Sequence, residues 1–384
     1  MVSLIGTWMQ SVAQGWLVYQ ITGSRLALGT ISFMGALPTL FLMLPAGAIA
    51  DRIPKKKLLL ATQSLMMMCA FTLSLLTATR LVAVWHIGLL ALILGVAQSF
   101  DAPARQSLAV EMVDDRRDLA SAIALNSMMF NLARIAGPAV AGIILATVGT
   151  AWCFLLNGLS FITVIIALFV MRLPVYVPRS NRQPMVQEIL VGIKYVWHNI
   201  QVRSIILVVG AATLFGMTYA VLLPAFAADV LHAGETGLGY LSTAVGVGAL
   251  VGSLTVASLG RTHRKGILLL VGNLSMPIAL LLFAFSHTLP MALASLALVG
   301  WASITQNATA NTLIQLLVPD ELRGRVMSLY MLVFFGSGPF AALQAGVLGQ
   351  SLGPGPAVAI GASAMLVIGV IVLFAAPALR KSEQ

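Results

Sequence analysis

The sequence predicts an all-α membrane protein of about twelve transmembrane helices, arranged as two similar six-helix halves. Three observations predict it. The 384 residues are 59% hydrophobic and only 9% charged, with a mean hydropathy of +0.97. The chain is almost wholly a series of apolar runs, each about the 20 residues needed to cross roughly 30 Å of hydrocarbon. Motifs in the first half recur in the second at a nearly fixed offset. A water-soluble fold is excluded, because no polar stretch is long enough to form a separate soluble domain.

Uninterrupted apolar stretches place the first six helices near 3–22, 26–50, 58–79, 83–104, 119–147 and 151–171. They resume near 204–228, 237–259, 266–286, 289–314, 326–350 and 355–378. The predicted domains are therefore an N-terminal bundle over 1–172, a linker over 173–203 and a C-terminal bundle over 204–384. Within the linker, Met185, Ile189, Ile193 and Val196 fall at helical spacing with Glu188 and Lys194 between them, which predicts an amphipathic helix lying on the cytoplasmic surface and linking the two halves. Met1 and Val2 lead straight into the first apolar run without the basic leader of a secretory signal, so that run is expected to be a retained span.

The formal net charge is +10, and the basic residues sit in short clusters between apolar runs, beside anionic headgroups. Membrane lipids are thus the expected partners, and nucleic acid is not. Alternate connectors differ sharply. One side carries Arg52, Lys55 to Lys57, Arg116, Arg117, Arg172, Arg261, Arg264, Lys265, Arg323 and Arg325, whereas the other carries only Arg25 and Arg80. The positive-inside rule then puts both termini in the cytoplasm. Cys69 and Cys153 lie far apart without ligand spacing and read as small apolar fillers. No metal or other cofactor is expected.

The repeat is visible residue by residue. An offset of 205 carries Gly47 onto Gly252, Val113 onto Val318 and Asp115 onto Asp320, while Gly137-Pro138 recurs as Gly338-Pro339 at an offset of 201. Parallel repeats about a central axis are a transporter architecture, with the site near the midplane.

The connector after the second span reads Gly47-Ala-Ile-Ala-Asp51-Arg52-Ile-Pro-Lys55-Lys56-Lys57, which resembles the signature loop of the major facilitator superfamily. Glycine permits close approach of helix ends, and the acid and base can pair across it. The second half keeps Gly252 but has Val256 and Ala257 in place of Asp51 and Arg52. The strings GTWMQSVAQGWLVYQITGS, DAPARQSLAVEMV, ALNSMMFNLARIAGPAVAGIIL and VPDELRGRVMSLY together resemble the enterobactin exporter-like branch, also described as transmembrane secretion effectors. Members of that branch usually begin with a short basic segment that this sequence lacks. The resemblance implies the major facilitator fold and proton-driven export from the bacterial cytoplasm across the inner membrane. The implied cargo is a small amphipathic molecule, siderophore or drug-like. Gly137-Pro138 with Gly142 is similar to the superfamily's antiporter signature.

Candidate site residues follow from charge, amides and aromatics. Asp101 and Arg134 are the deepest charges and are expected to interact, since a lone charge at the membrane centre costs about 2.5 to 3.5 kcal/mol or more. Arg105 is expected at the cytoplasmic end, paired with Asp51 or Glu111 as part of an inner gate that also uses Gly47, Arg52, Gly137, Pro138 and Gly252. Ser303, Asn307, Asn311 and Gln315 recur every four residues, and Gln10 and Gln14 do the same in the first span. Spans one, four, seven and ten line the superfamily's cavity, so these stripes, with Trp8, Tyr219 and Trp301, are the expected substrate contacts.

Competing classes have less to rest on. The five histidines form no HExxH pair, and no GxSxG elbow, CxxC or phosphate loop appears, so a membrane-embedded enzyme is not expected. No channel filter is seen. Importers and lipid flippases of the same fold remain alternatives to export, and a monomer is expected.

Overall fold

The computed structural model describes residues 1–50, 53–111, 119–171, 185–259 and 265–375. They form α1 (Val2–Thr22), α2 (Arg25–Ala50), α3 (Lys55–Ala78), α4 (Val84–Glu111), α5 (Leu119–Thr147) and α6 (Thr150–Val170). The amphipathic α7 (Met185–His198) follows, then α8 (Ile200–Leu214), α9 (Thr218–Ala225), a π-helical turn (Phe226–Val230) and α10 (Gly234–Leu259). The described residues continue with α11 (Lys265–Ala284), α12 (Leu289–Leu317), α13 (Asp320–Gly336), α14 (Gly338–Leu352) and α15 (Pro354–Ala375). This is the all-α architecture expected, and among the described residues eleven helical segments are long and apolar enough to cross a membrane. Val2–Thr22 is not one of them, because Gln10, Gln14, Gln20 and its hydroxyl residues dilute its apolar content.

Two expected spans are broken. The seventh consists of α8, α9 and the π turn, interrupted around Gly216 and again after Pro224, where the ring removes a backbone donor. The eleventh divides at Ser337, between Gly336 and the Gly338-Pro339 pair. Its repeat partner behaves differently, since α5 runs without interruption through Gly137-Pro138.

The chain divides into two compact units, Met1–Ser180 with Ala233–Thr243, and Asn181–His232 with Ala244–Gln384. In the first, α1 packs on α5 and α6, α3 on α4 and α6, and α2 on α4. Small cores of Leu59, Ala104, Leu108 and Leu168, and of Met66, Ala70, Ala97 and Phe161, hold it together. Lys56 Nζ donates to the carbonyls of Phe169 and Met171 at 3.1 and 2.9 Å, placing a cation on the C-terminal carbonyls of α6. Part of the basic cluster in the signature loop is therefore a helix cap.

In the second unit, α11 packs on α12 and α15, and α7 docks on α13. Gly192 makes that docking close, since a Cβ there would stand 3.0 Å from the Arg325 carbonyl oxygen. Val196 of α7 joins the core of Val202, Ile205, Val209, Leu269, Leu313, Ile314 and Val326. Tyr195 donates to the Leu317 carbonyl at 3.4 Å, and Asn199 caps α8 by accepting from the amides of Gln201 and Val202. The expected apolar stripe of α7 is split. Val196 turns inward, whereas Ile193 is exposed with Val191 and Trp197, and the side chains of Met185 and Ile189 lie outside the described residues.

Large apolar side chains such as Phe41, Trp85, Phe169, Leu254, Phe285 and Phe374 are exposed, as lipid-facing residues are. Between helices the small residues do the packing. A Cβ at Gly248 would lie 1.8 Å from the Ala297 carbonyl oxygen, and one at Gly300 2.0 Å from that of Val245. Gly248→Ala is expected to force α10 and α12 apart and destabilise the protein by about 1–3 kcal/mol. Gly47→Ala, with nothing among the described residues within 4 Å of the added carbon, is expected to leave the melting temperature in detergent nearly unchanged.

Candidate transport site

The first unit is organised around a buried carboxylate. Asp101 of α4 is 4% exposed, in a segment that its apolar neighbours carry through the membrane. Its Oδ1 accepts from Thr62 Oγ1 at 3.0 Å and from Gln63 Nε2 at 2.7 Å, two adjacent residues on α3. Its Oδ2 pairs with Arg105, one turn further along α4. Both oxygens are thus held by donors, one of them cationic, so the buried carboxyl group has its hydrogen bonds supplied from within the unit. Gln63 Oε1 is buried without a protein partner, leaving one acceptor open beside the carboxylate.

Around α1 the polar groups are paired within the unit. Gln10 is 4% exposed, and its Oε1 accepts from Asn157 Nδ2 of α6 at 2.6 Å. Ser160 in turn donates to Asn157 Oδ1 at 3.1 Å. Trp8 stands edge-on to Phe130 with ring centroids 5.9 Å apart, and the Arg134 guanidinium lies 5.9 Å from the Trp8 ring centre. Gly137 lets α5 approach α1 at this point, since a Cβ there would be 2.5 Å from Trp8 Cβ. Further along α5, Gly142 meets Gly239 of α10, where a Cβ at Gly239 would come within 2.5 Å of Gly142 Cα and 3.2 Å of the Pro138 carbonyl oxygen.

In the second unit, α12 carries amides on more than one face. Gln315 Nε2 donates to Asn311 Oδ1 at 2.5 Å, Ser303 bonds back to the Gly300 carbonyl, and Asn307 Oδ1 is buried with no protein partner. Trp301 Nε1 donates to Thr255 of α10 at 3.1 Å, beside the close contact of Gly252 with the Trp301 carbonyl. Tyr219 is buried edge-on to Phe283.

The whole chain, residues 1–384, matches the family described as transmembrane secretion effector. The protein belongs to that family of major facilitator transporters. It is 27% identical to the multidrug efflux pump Tap of Mycolicibacterium fortuitum, over 98% of this chain and 94% of that one. It is equally 27% identical to the enterobactin exporter EntS of Shigella boydii serotype 18, over 100% of this chain and 91% of the relative. Among solved structures it resembles the nucleoside transporter NupG, with a TM-score of 0.77 at 13% identity over 97% of this chain and 98% of that one. A peptide transporter POT gives 0.76 at 14% identity, over 100% and 93%. The fold is that of the major facilitator superfamily, the protein is a multi-pass membrane transporter, and it is not an enzyme.

Several expected contacts are rearranged. Asp101 pairs with Arg105 rather than Arg134, because one helical turn separates the first two whereas Arg134 lies over Trp8. Arg105 correspondingly turns toward Asp101; Asp51, Arg52 and the side chain of Glu111 lie outside the described residues. Gln10 faces α6, because an apolar interior gives its amide no better partner than Asn157, while Gln14 is half-buried. Tyr219 is enclosed by Phe283. Gly47 makes no close helix contact among the described residues, whereas Gly252 does. Thr62, Gln63 and Asn157 were not singled out by their spacing. The available signal was a lone amide inside an apolar run, LLLATQSLMMM for Gln63 and CFLLNGLSF for Asn157.

Removing one member of the Asp101–Arg105 pair should cost more than removing both. Arg105→Met is expected to destabilise by about 2 kcal/mol, below the 3–5 of a fully buried pair because the Arg105 side chain is 41% exposed. Adding Asp101→Asn should restore much of the loss, which a double-mutant cycle of thermal unfolding in detergent would read directly.

Proposed function

We propose that the protein is a proton-coupled exporter of a small amphipathic molecule, siderophore or drug-like, in a bacterial inner membrane with both termini in the cytoplasm. The observation that carries this reading is the buried Asp101 carboxylate with its replaceable donors. The relatives support the direction, being described as an efflux pump and an exporter.

In this reading a proton taken up by Asp101 neutralises the carboxylate, weakens its charge-assisted bonds to Gln63 and Thr62 and frees Arg105. The released guanidinium then seeks another partner, and the two halves exchange which side of the membrane they expose. Loss of the proton to the cytoplasm restores the pair. The amide and aromatic residues Gln14, Trp8, Ser303, Asn307, Asn311, Gln315 and Trp301 are the proposed substrate contacts, offering stacking faces and neutral hydrogen bonds. The signature loop with Asp51 and Arg52 is the proposed cytoplasmic gate, its acid stabilising the outward-facing form.

Asp101→Asn should abolish gradient-driven transport in everted vesicles while leaving substrate exchange at equal pH in place. Gradient-driven transport at the wild-type rate would remove Asp101 as the proton carrier. Asp51→Asn should shift the population toward the inward-facing form, read as increased labelling of cytoplasm-accessible cysteines placed along α4 and α12. An unchanged labelling pattern would end the gating role.

A further inference from the structure

The proposed cycle leaves a second buried polar cluster unused. On α12, Thr305, Gln306 and Thr309 are 0%, 0% and 2% exposed, and Asn273 of α11 is 1% exposed. These helices touch backbone to backbone, since a Cβ at Gly272 would stand 2.9 Å from the Gln306 amide nitrogen. Gln306 Nε2 reaches across to the Val208 carbonyl of α8 at 3.3 Å. The Asn273 side chain abuts Gly369 of α15, whose added Cβ would come within 2.7 Å of Nδ2. Four helices of the second unit therefore converge on these polar groups.

Their hydrogen bonds do not close within the protein. Asn273 Nδ2, Thr305 Oγ1, Gln306 Oε1 and Thr309 Oγ1 are each buried without a protein partner. The two hydroxyls are the more telling. A helical threonine ordinarily donates to the carbonyl one turn back, as Thr213, Thr243, Thr255 and Thr312 do in the same unit or its neighbour. Thr305 and Thr309 do not. Leaving several polar groups dry and unsatisfied in one place is costly, and interiors avoid it by admitting water, which needs two to four polar partners.

The repeat supplies independent support. The offset of 205 that carries Gly47 onto Gly252 also carries Asp101 onto Gln306 and Arg105 onto Ala310. An offset of 210, which sets Lys55 on Lys265, carries Gln63 onto Asn273. Both halves thus bury a polar pair at the same place in the fold. The first fills it with a carboxylate and its cation; the second has only neutral amides and hydroxyls.

We propose that Asn273, Thr305, Gln306 and Thr309 hold a small cluster of buried water molecules inside the second unit. The donor set is neutral, with an amide N–H, an amide carbonyl and two hydroxyls that give or accept. Water satisfies all four; an anion would find no cation, and a sodium ion would face the Asn273 N–H.

X-ray radiolytic hydroxyl labelling of the whole protein in detergent tests this, because bound water generates radicals in place. Met276, 3% exposed and about one turn from Asn273, should be oxidised severalfold faster than the equally buried Met9. The excess should vanish in the Thr305→Val/Thr309→Val variant, whose melting temperature should fall by about 2–4 °C as the water loses its partners. Equal oxidation of Met276 and Met9 in the unsubstituted protein would overturn the proposal without reference to any variant. So would an unchanged or higher melting temperature in the double variant, since removing dry, unpaired hydroxyls stabilises. A melting temperature that rises with sodium chloride but not with choline chloride would assign the site to a cation instead, and the water cluster would be abandoned.

Discussion

The bilayer offers no water, and every polar group carried into it must find its partner inside the protein. That single constraint explains where the functional chemistry of this chain lies. Asp101 survives in α4 because two neutral donors from α3 and a cation from its own helix surround it. Gln10 is satisfied by Asn157, and Trp301 by Thr255, for the same reason. Polar residues within the spans thus mark contacts between helices first. Buried atoms left without a protein partner, such as Gln306 Oε1 and Thr309 Oγ1, mark where the proposed water would enter.

The second constraint is on the backbone. Lipid and side chains are equally apolar, so helices gain little from burying leucine against leucine and associate by close approach instead. Gly137 on α1, Gly142 on Gly239 and Gly248 on Ala297 are contacts in which a single methyl group would strike backbone. The Gly137-Pro138 segment, similar to an antiporter signature, is in structural terms a place where α5 lies against α1 and the start of α10. Its repeat copy, Gly338-Pro339, breaks its helix into α13 and α14 instead. The same dipeptide gives two outcomes because proline's lost donor is tolerated only where neighbouring groups and the run of the helix accommodate it.

The two halves therefore share a plan and differ in charge. Where the first sets Asp101, Gln63 and Arg105, the second sets Gln306, Asn273 and Ala310. Duplication kept the polarity of the position while the ionisable group stayed in one half only. In the proposed cycle a proton changes the local charge at Asp101, whereas its neutral counterpart Gln306 has no charge to lose.

By itself the sequence determined the all-α membrane class, most of the spans and the family, because these are written in hydropathy and in short strings read along one strand of chain. It also picked out Asp101 as a deep charge, since a lone carboxylate in an apolar run stands out without knowing its surroundings. Only the tertiary structure decided that Arg105 and not Arg134 is its partner, that Gln10 belongs to α6, and that the amide stripe of α12 is less buried than Thr305, Gln306 and Thr309 beside it. A helix puts a side chain on one of several faces, and which face meets protein, lipid or water depends on neighbours tens to hundreds of residues away.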